Sequence, residues 1–279
     1  MLSTVTLVER EVAHYRRARP ELACALDLYA AVFQAQESVR QRVPPWLDLS
    51  NDQARAKLQA GTPVLDGQEL PVDPDLFRSG LESIAGILVS HGVLTAEEMG
   101  LLQSQALPPA DLPRLAVDIA RSDWNRIRPI AAACEMEEEA VAVLLRTVLV
   151  PFYQAGAAPF QGLLGALWRK GTCPFCGGMP RMARMDGDGR RSLYCSICRS
   201  EWPFARLACP FCEGYDAGSL DYLLLDWDKG HRADVCNTCR RYIKASDERV
   251  LGRHGVPDIE DLATIPLDLV AARNGYTPP

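Results

Sequence analysis

The sequence predicts an α+β fold: an N-terminal α-helical bundle, then two tandem four-cysteine ribbons, then a short C-terminal helical tail. Three observations carry the prediction. Apolar residues recur at spacings of three and four from Val5 to about Trp168. Eight of the ten cysteines then fall in four C-x-x-C pairs between Cys173 and Cys239, separated by short alternating runs rich in Gly, Pro and aromatics. Apolar residues at mixed spacing resume after Pro257. The expected division is a helical domain over 1–168, ribbons over 169–205 and 206–250, and a tail over 251–279 that packs on the helical domain.

Within the helical part, Glu21–Val43 places Leu22, Leu26, Tyr29 and Phe33 on one face, as a core-facing helix requires. Pro44 and Pro45 stop it, and a polar helix around Asn51–Ala60 ends at the Gly61-Thr62-Pro63 break. Asp73 as N-cap with Pro74 at the first helical position opens a helix to Ser90, closed by Gly92. Thr95 and Glu98 form a capping box for a short helix ending near Ala106, and the loop over Pro108–Pro113 leads to another. Glu135–Gln154 is the most apolar helix, expected at the centre of the bundle, with its acidic first turn on the positive end of the helix dipole.

The ribbons read as a repeated unit of knuckle, hairpin, knuckle. Arg181–Met185 and Arg190–Tyr194 flank an Asp186-Gly187-Asp188-Gly189 turn, and Leu220–Asp226 and His231–Val235 flank the turn at 228–230. A C-x-x-C turn presents two thiolates from one tight loop, and two such turns complete a tetrahedral metal shell. Cys173, Cys176, Cys195 and Cys198 therefore form one expected site, and Cys209, Cys212, Cys236 and Cys239 the other. The spacings are 18 residues between the pairs of the first unit and 23 in the second. A thioredoxin-type pair would open a helix after a strand, and here hairpins follow instead. Two metal ions per chain are expected. Four thiolates suit iron or zinc alike, and the C-P-x-C-G turn at Cys173 favours iron. Cys24 and Cys134 stand alone in apolar helical contexts and read as small core residues.

Net charge is −6, divided as −7 over residues 1–167, +3 over 168–250 and −2 over 251–279. The basic excess lies with the cysteines and falls short of the stripe expected of a dedicated nucleic-acid binder. The N-terminus lacks the basic start and apolar run of a secretory signal. The apolar stretches 84–94 and 140–153, broken by His91 and Arg146, read as too short to span a bilayer, so a cytoplasmic location is expected. His14, His91, His231 and His254 are scattered without metalloprotease spacing or a nucleophile motif, and no phosphate-binding glycine loop is present, so no catalytic site is expected.

With the ligands placed, the chain resembles the formate dehydrogenase accessory protein FdhE family. The matching residues are Cys173-Pro174-Phe175-Cys176-Gly177, Tyr194-Cys195-Ser196-Ile197-Cys198 with Glu201-Trp202, and Arg206 before Cys209-Pro210-Phe211-Cys212. They continue through Cys236-Asn237-Thr238-Cys239-Arg240-Arg241-Tyr242-Ile243-Lys244 to the tail around Asp261-Leu262-Ala263-Thr264, Leu267-Asp268-Leu269 and Gly275-Tyr276. Glu213 departs from the pattern by standing where the first knuckle has Gly177. The resemblance implies two rubredoxin-like, iron-binding modules. It also implies a cytoplasmic protein, not itself an enzyme, that contacts the catalytic subunit of a formate dehydrogenase before export and is needed for its activity. It leaves a homodimer open. The residues alone also admit a zinc-ribbon nucleic-acid binder, drawing on Arg181, Arg184, Arg190, Arg191, Arg240, Arg241 and Lys244, or a rubredoxin-like electron carrier. For partner binding, the expected surface spans the two ribbons and the cleft toward the bundle. Trp202, Tyr215, Trp227 and Tyr242 are its expected anchors, with Arg240, Arg241 and Lys244 on the rim.

Overall fold

The computed structural model describes residues 4–44, 49–104, 108–120, 123–164 and 167–278. Pro45 and Ala106, at the expected ends of two helices, lie outside the described residues. The helices run α1 (Thr4–Ala18), α2 (Ala23–Arg40), α3 (Asn51–Gln59), α4 (Pro74–Ser90), α5 (Ala96–Ser104), α6 (Leu112–Ala120), α7 (Ile127–Ala133) and α8 (Glu138–Ala157). The starts of α4 and α5 follow the predicted chemistry, and α3 has a further cap not singled out from the sequence. Ser50 and Gln53 close a reciprocal capping box on α3, the Asp73 carboxylate accepts from the Asp75 and Leu76 N–H groups on α4, and Thr95 with Glu98 caps α5.

Helix α8 is central, packed by α2, α4, α6 and α7. It begins at Glu138 rather than Glu135, because Glu135 sits in the left-handed region at φ 55° and turns the chain out of α7. Pro151 lies inside α8 and leaves the Thr147 carbonyl without its i+4 partner. The buried Gln36 side chain of α2 donates to that carbonyl at 2.7 Å, so one polar bond stitches the two central helices where the ladder is broken. With the 3₁₀ turn that extends α8, the helical stretch Glu138–Leu163 reaches 26 residues, long and apolar enough by length and composition to cross a membrane, contrary to expectation; 67% of its apolar window is buried within the protein.

The strands are β1 (Pro180–Met185), β2 (Arg191–Cys195), β3 (Glu201–Pro203), β4 (Leu220–Leu225), β5 (Asp228–Cys236) and β6 (Tyr242–Asp247). Both predicted hairpins are present, as β1–β2 and β4–β5. The ribbons do not stand apart. β1 and β6 pair in parallel with Met182 opposite Lys244, giving one six-stranded sheet in the order β3-β2-β1-β6-β5-β4. The tail forms α9 (Glu248–Leu251), α10 (Pro257–Ala263) and α11 (Ile265–Arg273). α10 packs against α1, α2 and β1, while α11 covers one face of β4 and β5.

The main hydrophobic core runs from the helices into the first ribbon: Leu145, Leu149 and Phe152 belong to the same buried cluster as Phe175, Ile197 and Trp202. Burying six such side chains contributes on the order of 10 kcal/mol before entropy, so the first ribbon and α8 hold each other in place. Cys134 is buried as expected, whereas Cys24 is exposed, because α2 turns Leu26 and Phe33 rather than Cys24 toward the core.

Candidate metal centres

The eight predicted cysteines gather into two groups of four, Cys173/Cys176/Cys195/Cys198 and Cys209/Cys212/Cys236/Cys239, with the sulfurs of each group within 4.8 Å of one another. None is in a disulfide. A tetrahedral metal with bonds of about 2.3 Å to sulfur needs S···S edges of about 3.8 Å. The closest edges are 3.5 Å (Cys173–Cys198) and 3.4 Å (Cys176–Cys195) in the first group, and 3.6 Å (Cys209–Cys239) and 3.7 Å (Cys212–Cys236) in the second. These distances fit a four-thiolate metal centre.

Each knuckle is built alike. The residue after its second cysteine is left-handed: Gly177 (φ 78°), Arg199 (φ 57°), Glu213 (φ 55°) and Arg240 (φ 58°). This conformation curls the backbone so that N–H groups meet sulfur. Phe175 N–H faces Cys173 Sγ at 3.4 Å, Gly178 N–H faces Cys176 Sγ at 3.4 Å, Ile197 N–H faces Cys195 Sγ at 3.3 Å and Phe211 N–H faces Cys209 Sγ at 3.4 Å. Glu213 therefore adopts the same turn as Gly177. Its carboxylate accepts from the Gly171 N–H at 3.0 Å, tying the second knuckle to the linker.

Burial pushes the Cys173 thiol up. Burial also opposes ionisation of Cys198, but hydrogen bonds from the neighbouring thiols and Ser200 outweigh it and hold Cys198 well below the usual thiol range. At Cys236 burial is outweighed by the N–H groups of Cys239 and Thr238, which draw the thiol down to about 7. Metal binds the thiolate form, so donors aimed at these sulfurs favour ligation.

The first group is supported from the helical part. Val64 and Leu65 N–H groups donate to the Pro174 and Phe175 carbonyls at 2.9 and 2.8 Å. Gln161 donates to Ser200 Oγ at 3.0 Å, and that hydroxyl lies 3.2 Å from Cys198 Sγ. Neither Ser200 nor Gln161 was singled out from the sequence; Ser200, two residues past a ligand, carried the only local signal. Cys176 is half-buried and its three companions are buried, whereas in the second group Cys212 is exposed and Cys239 half-buried.

Several residues expected on a partner surface lie elsewhere. Trp202 and Tyr242 are buried, donating to Lys170 O at 3.2 Å and Asp268 Oδ1 at 2.8 Å. Lys244 is buried between Asp261 and Asp268, each at 2.7 Å. Arg240 donates to Asn274 O at 2.8 Å and stacks on Tyr276 at 4.1 Å. The core shared with the helices covers Trp202 and the returning tail covers Tyr242 and Lys244, whereas Arg240 stays exposed and is tied to the tail. Tyr215 and Trp227 are exposed, the latter under the Arg19 guanidinium at 4.3 Å. Of the histidines, His231 is buried, bonded to Asp228 at 2.9 Å, with Tyr15 Oη at 3.4 Å.

No family model matches the chain. It is 36% identical over 262 residues to an FdhE homologue of Aquifex aeolicus, covering 92% of this chain and 87% of that one. It is 29% identical over 286 residues to an FdhE homologue of Stutzerimonas stutzeri, covering 91% and 81%. The crystal structure of the FdhE protein from Pseudomonas aeruginosa superposes with a TM-score of 0.67 at 22% identity, covering all of this chain and 95% of that one, and so shares the fold. Identity of 36% across 92% of the sequence shows that this chain belongs to the FdhE family.

Proposed function

We propose that the chain is an accessory protein that binds the immature catalytic subunit of a formate dehydrogenase in the cytoplasm, acting as an assembly factor and not as an enzyme. The observation that carries it is the pair of four-thiolate clusters in an FdhE-family chain. In this reading Cys173, Cys176, Cys195 and Cys198 hold one metal ion and Cys209, Cys212, Cys236 and Cys239 a second, with iron favoured over zinc. When bound, each ion cross-links two knuckles and supplies folding free energy to a ribbon with little core of its own. The protein's residues do the rest: backbone N–H groups orient the sulfurs, Ser200 and Gln161 fix Cys198, and Glu213 anchors the second knuckle. In this reading the chain divides at 168, 205 and 250, with the two ribbons as metal-dependent units joined in one sheet.

The nucleic-acid reading loses most of its cations to ion pairs. Arg184 pairs with Glu201 at 2.9 Å, Arg191 with Asp234 at 3.1 Å, Arg190 with Asp188 at 2.9 Å and Arg181 with Asp261 at 3.5 Å. Affinity purification of the tagged chain from its source organism grown on formate tests the proposal. Co-elution of the formate dehydrogenase catalytic subunit is expected; recovery of nucleic acid without that subunit would overturn it.

A further inference from the structure

The six-stranded sheet has two free edges, and they differ. β3 is three residues long and ends in Pro203, a poor template for another strand. β4 is six residues long and outermost. One of its faces, carrying Leu223 and Leu225, packs with Leu267 and Ala271 of α11. The other face carries Tyr222 and Leu224, which are 55% and 41% exposed. That face runs into a cavity of about 320 Å³ between β4–β5 and the second knuckle, walled by Leu207, Pro210, Phe211 and Ile243. Leu207, at its mouth, is 62% exposed. Leu207 and Tyr222 thus lie bare at the pocket, with Leu224 exposed further along the same face of β4.

The charge around this pocket is unbalanced. Four arginines and two aspartates line it. Arg191 and Arg232 both pair with Asp234, at 3.1 and 2.6 Å. Arg206 and Arg241 have no ion pair or side-chain hydrogen bond among the described residues; Arg241 only stacks over Phe211, at 5.6 Å. Asp221 is turned to its own strand, accepting from the Tyr222 N–H at 2.8 Å.

We infer that the β4 edge and this pocket receive an extended acidic segment of the protein partner. The segment adds as a strand along β4, seats one aliphatic or aromatic side chain against Leu207, Phe211 and Tyr222, and sets carboxylates on Arg206 and Arg241. Charge selects this occupant: a second copy of the chain would bring the same two uncompensated arginines against each other, whereas an acidic strand neutralises them. Two isolated cations beside an apolar cavity also make a poor track for a phosphate backbone. The inference rests on the accessory-protein reading and names the surface and the segment chemistry that reading needs. Cys209 and Cys236 line the same cavity, so the shape of the docking pocket depends on the second metal centre.

The test is fluorescence-polarisation titration of the metal-loaded full chain with labelled short peptides tiling the formate dehydrogenase catalytic subunit, beside pull-down of the intact subunit. Arg206→Glu/Arg241→Glu and Tyr222→Asp are compared with wild type and with Arg190→Glu, a charge reversal at an exposed site elsewhere, with both metals verified in every variant. The inference predicts that the tiles that bind are acidic with interspersed apolar residues. It further predicts that both test variants weaken them about tenfold or more while Arg190→Glu does not. It is overturned if the intact subunit binds and the test variants bind it as wild type does, or if the tiles that bind are basic or none binds. Failure of the wild-type chain to bind the intact subunit at all would instead remove the accessory-protein reading, and this inference with it.

Discussion

Replacing Gly171 with alanine should weaken the second metal centre from a position that contributes no ligand. An alanine Cβ would stand 1.8 Å from the Pro210 carbonyl oxygen and 2.5 Å from its carbon. Real Cβ contacts do not fall below 3.0 Å, so 1.2 Å (3.0 − 1.8) must be made up by moving backbone, because every clashing atom is main-chain. Gly171 is not in the left-handed region, so alanine carries no conformational penalty of its own there and the whole effect is contact. Pro210 lies between Cys209 and Cys212, and its retreat tilts both thiolates. The same shift breaks the Gly171 N–H bond to Glu213. Overpacking of about 1–3 kcal/mol and a lost hydrogen bond of about 1 kcal/mol give about 2–4 kcal/mol, borne by the second centre. Competition with a chromogenic chelator measures this: metal release from the second site should accelerate by at least about tenfold, with the first site unchanged. Gly86→Ala is the control, since nothing lies within 4 Å of its Cβ in α4 and the substitution should stabilise by about 1 kcal/mol. Gly171→Ala protein that holds both metals and melts like wild type would refute the reasoning.

Two further perturbations probe the ties between the tail and the rest of the chain. Arg199 pairs with the buried Asp258 at 2.8 Å, and Asp258 also accepts from Tyr194 at 3.0 Å and Tyr29 at 3.2 Å. Arg199→Ala strands that carboxylate and should cost about 3–5 kcal/mol in denaturant unfolding, while Asp258→Asn/Arg199→Ala should recover part of the loss. His231 is raised from 6.5 to about 9: burial works against its protonation, but Asp228 and Glu260 outweigh it. Its stabilisation is therefore complete below pH 6.5 and is lost as pH rises through about 9, at most about 3 kcal/mol. Melting temperature should fall between pH 7 and 9.5 in wild type, and His231→Gln should flatten that slope.

The metal centres were legible because thiolate ligation constrains sequence locally: a C-x-x-C turn, a hairpin of suitable length and a second turn place four sulfurs without reference to the rest of the chain. Helix starts at Asp73 and Thr95 were legible for the same reason. The parallel pairing of β1 with β6 was not, since Met182 and Lys244 lie in separate ribbons and nothing near either records the match. That one pairing, with the tail folded over it, turned Tyr242 and Lys244 from expected surface groups into buried ones, and the core shared with α8 did the same to Trp202. Arg199, Glu213 and Arg240 hide the left-handed turn that Gly177 announces, because a non-glycine residue there costs about 1 kcal/mol that the finished centre tolerates. Pro151 would argue against a continuous α8; only Gln36, from another helix, shows how the chain passes through it.

Native mass spectrometry of the purified chain, beside Cys176→Ser and Cys212→Ser, tests most directly whether these are two independent four-thiolate centres. The structure predicts two metal ions on the wild-type chain and one on each variant, retained at the untouched cluster. A wild-type chain that binds a single ion, or a Cys176→Ser chain that releases both, would contradict it.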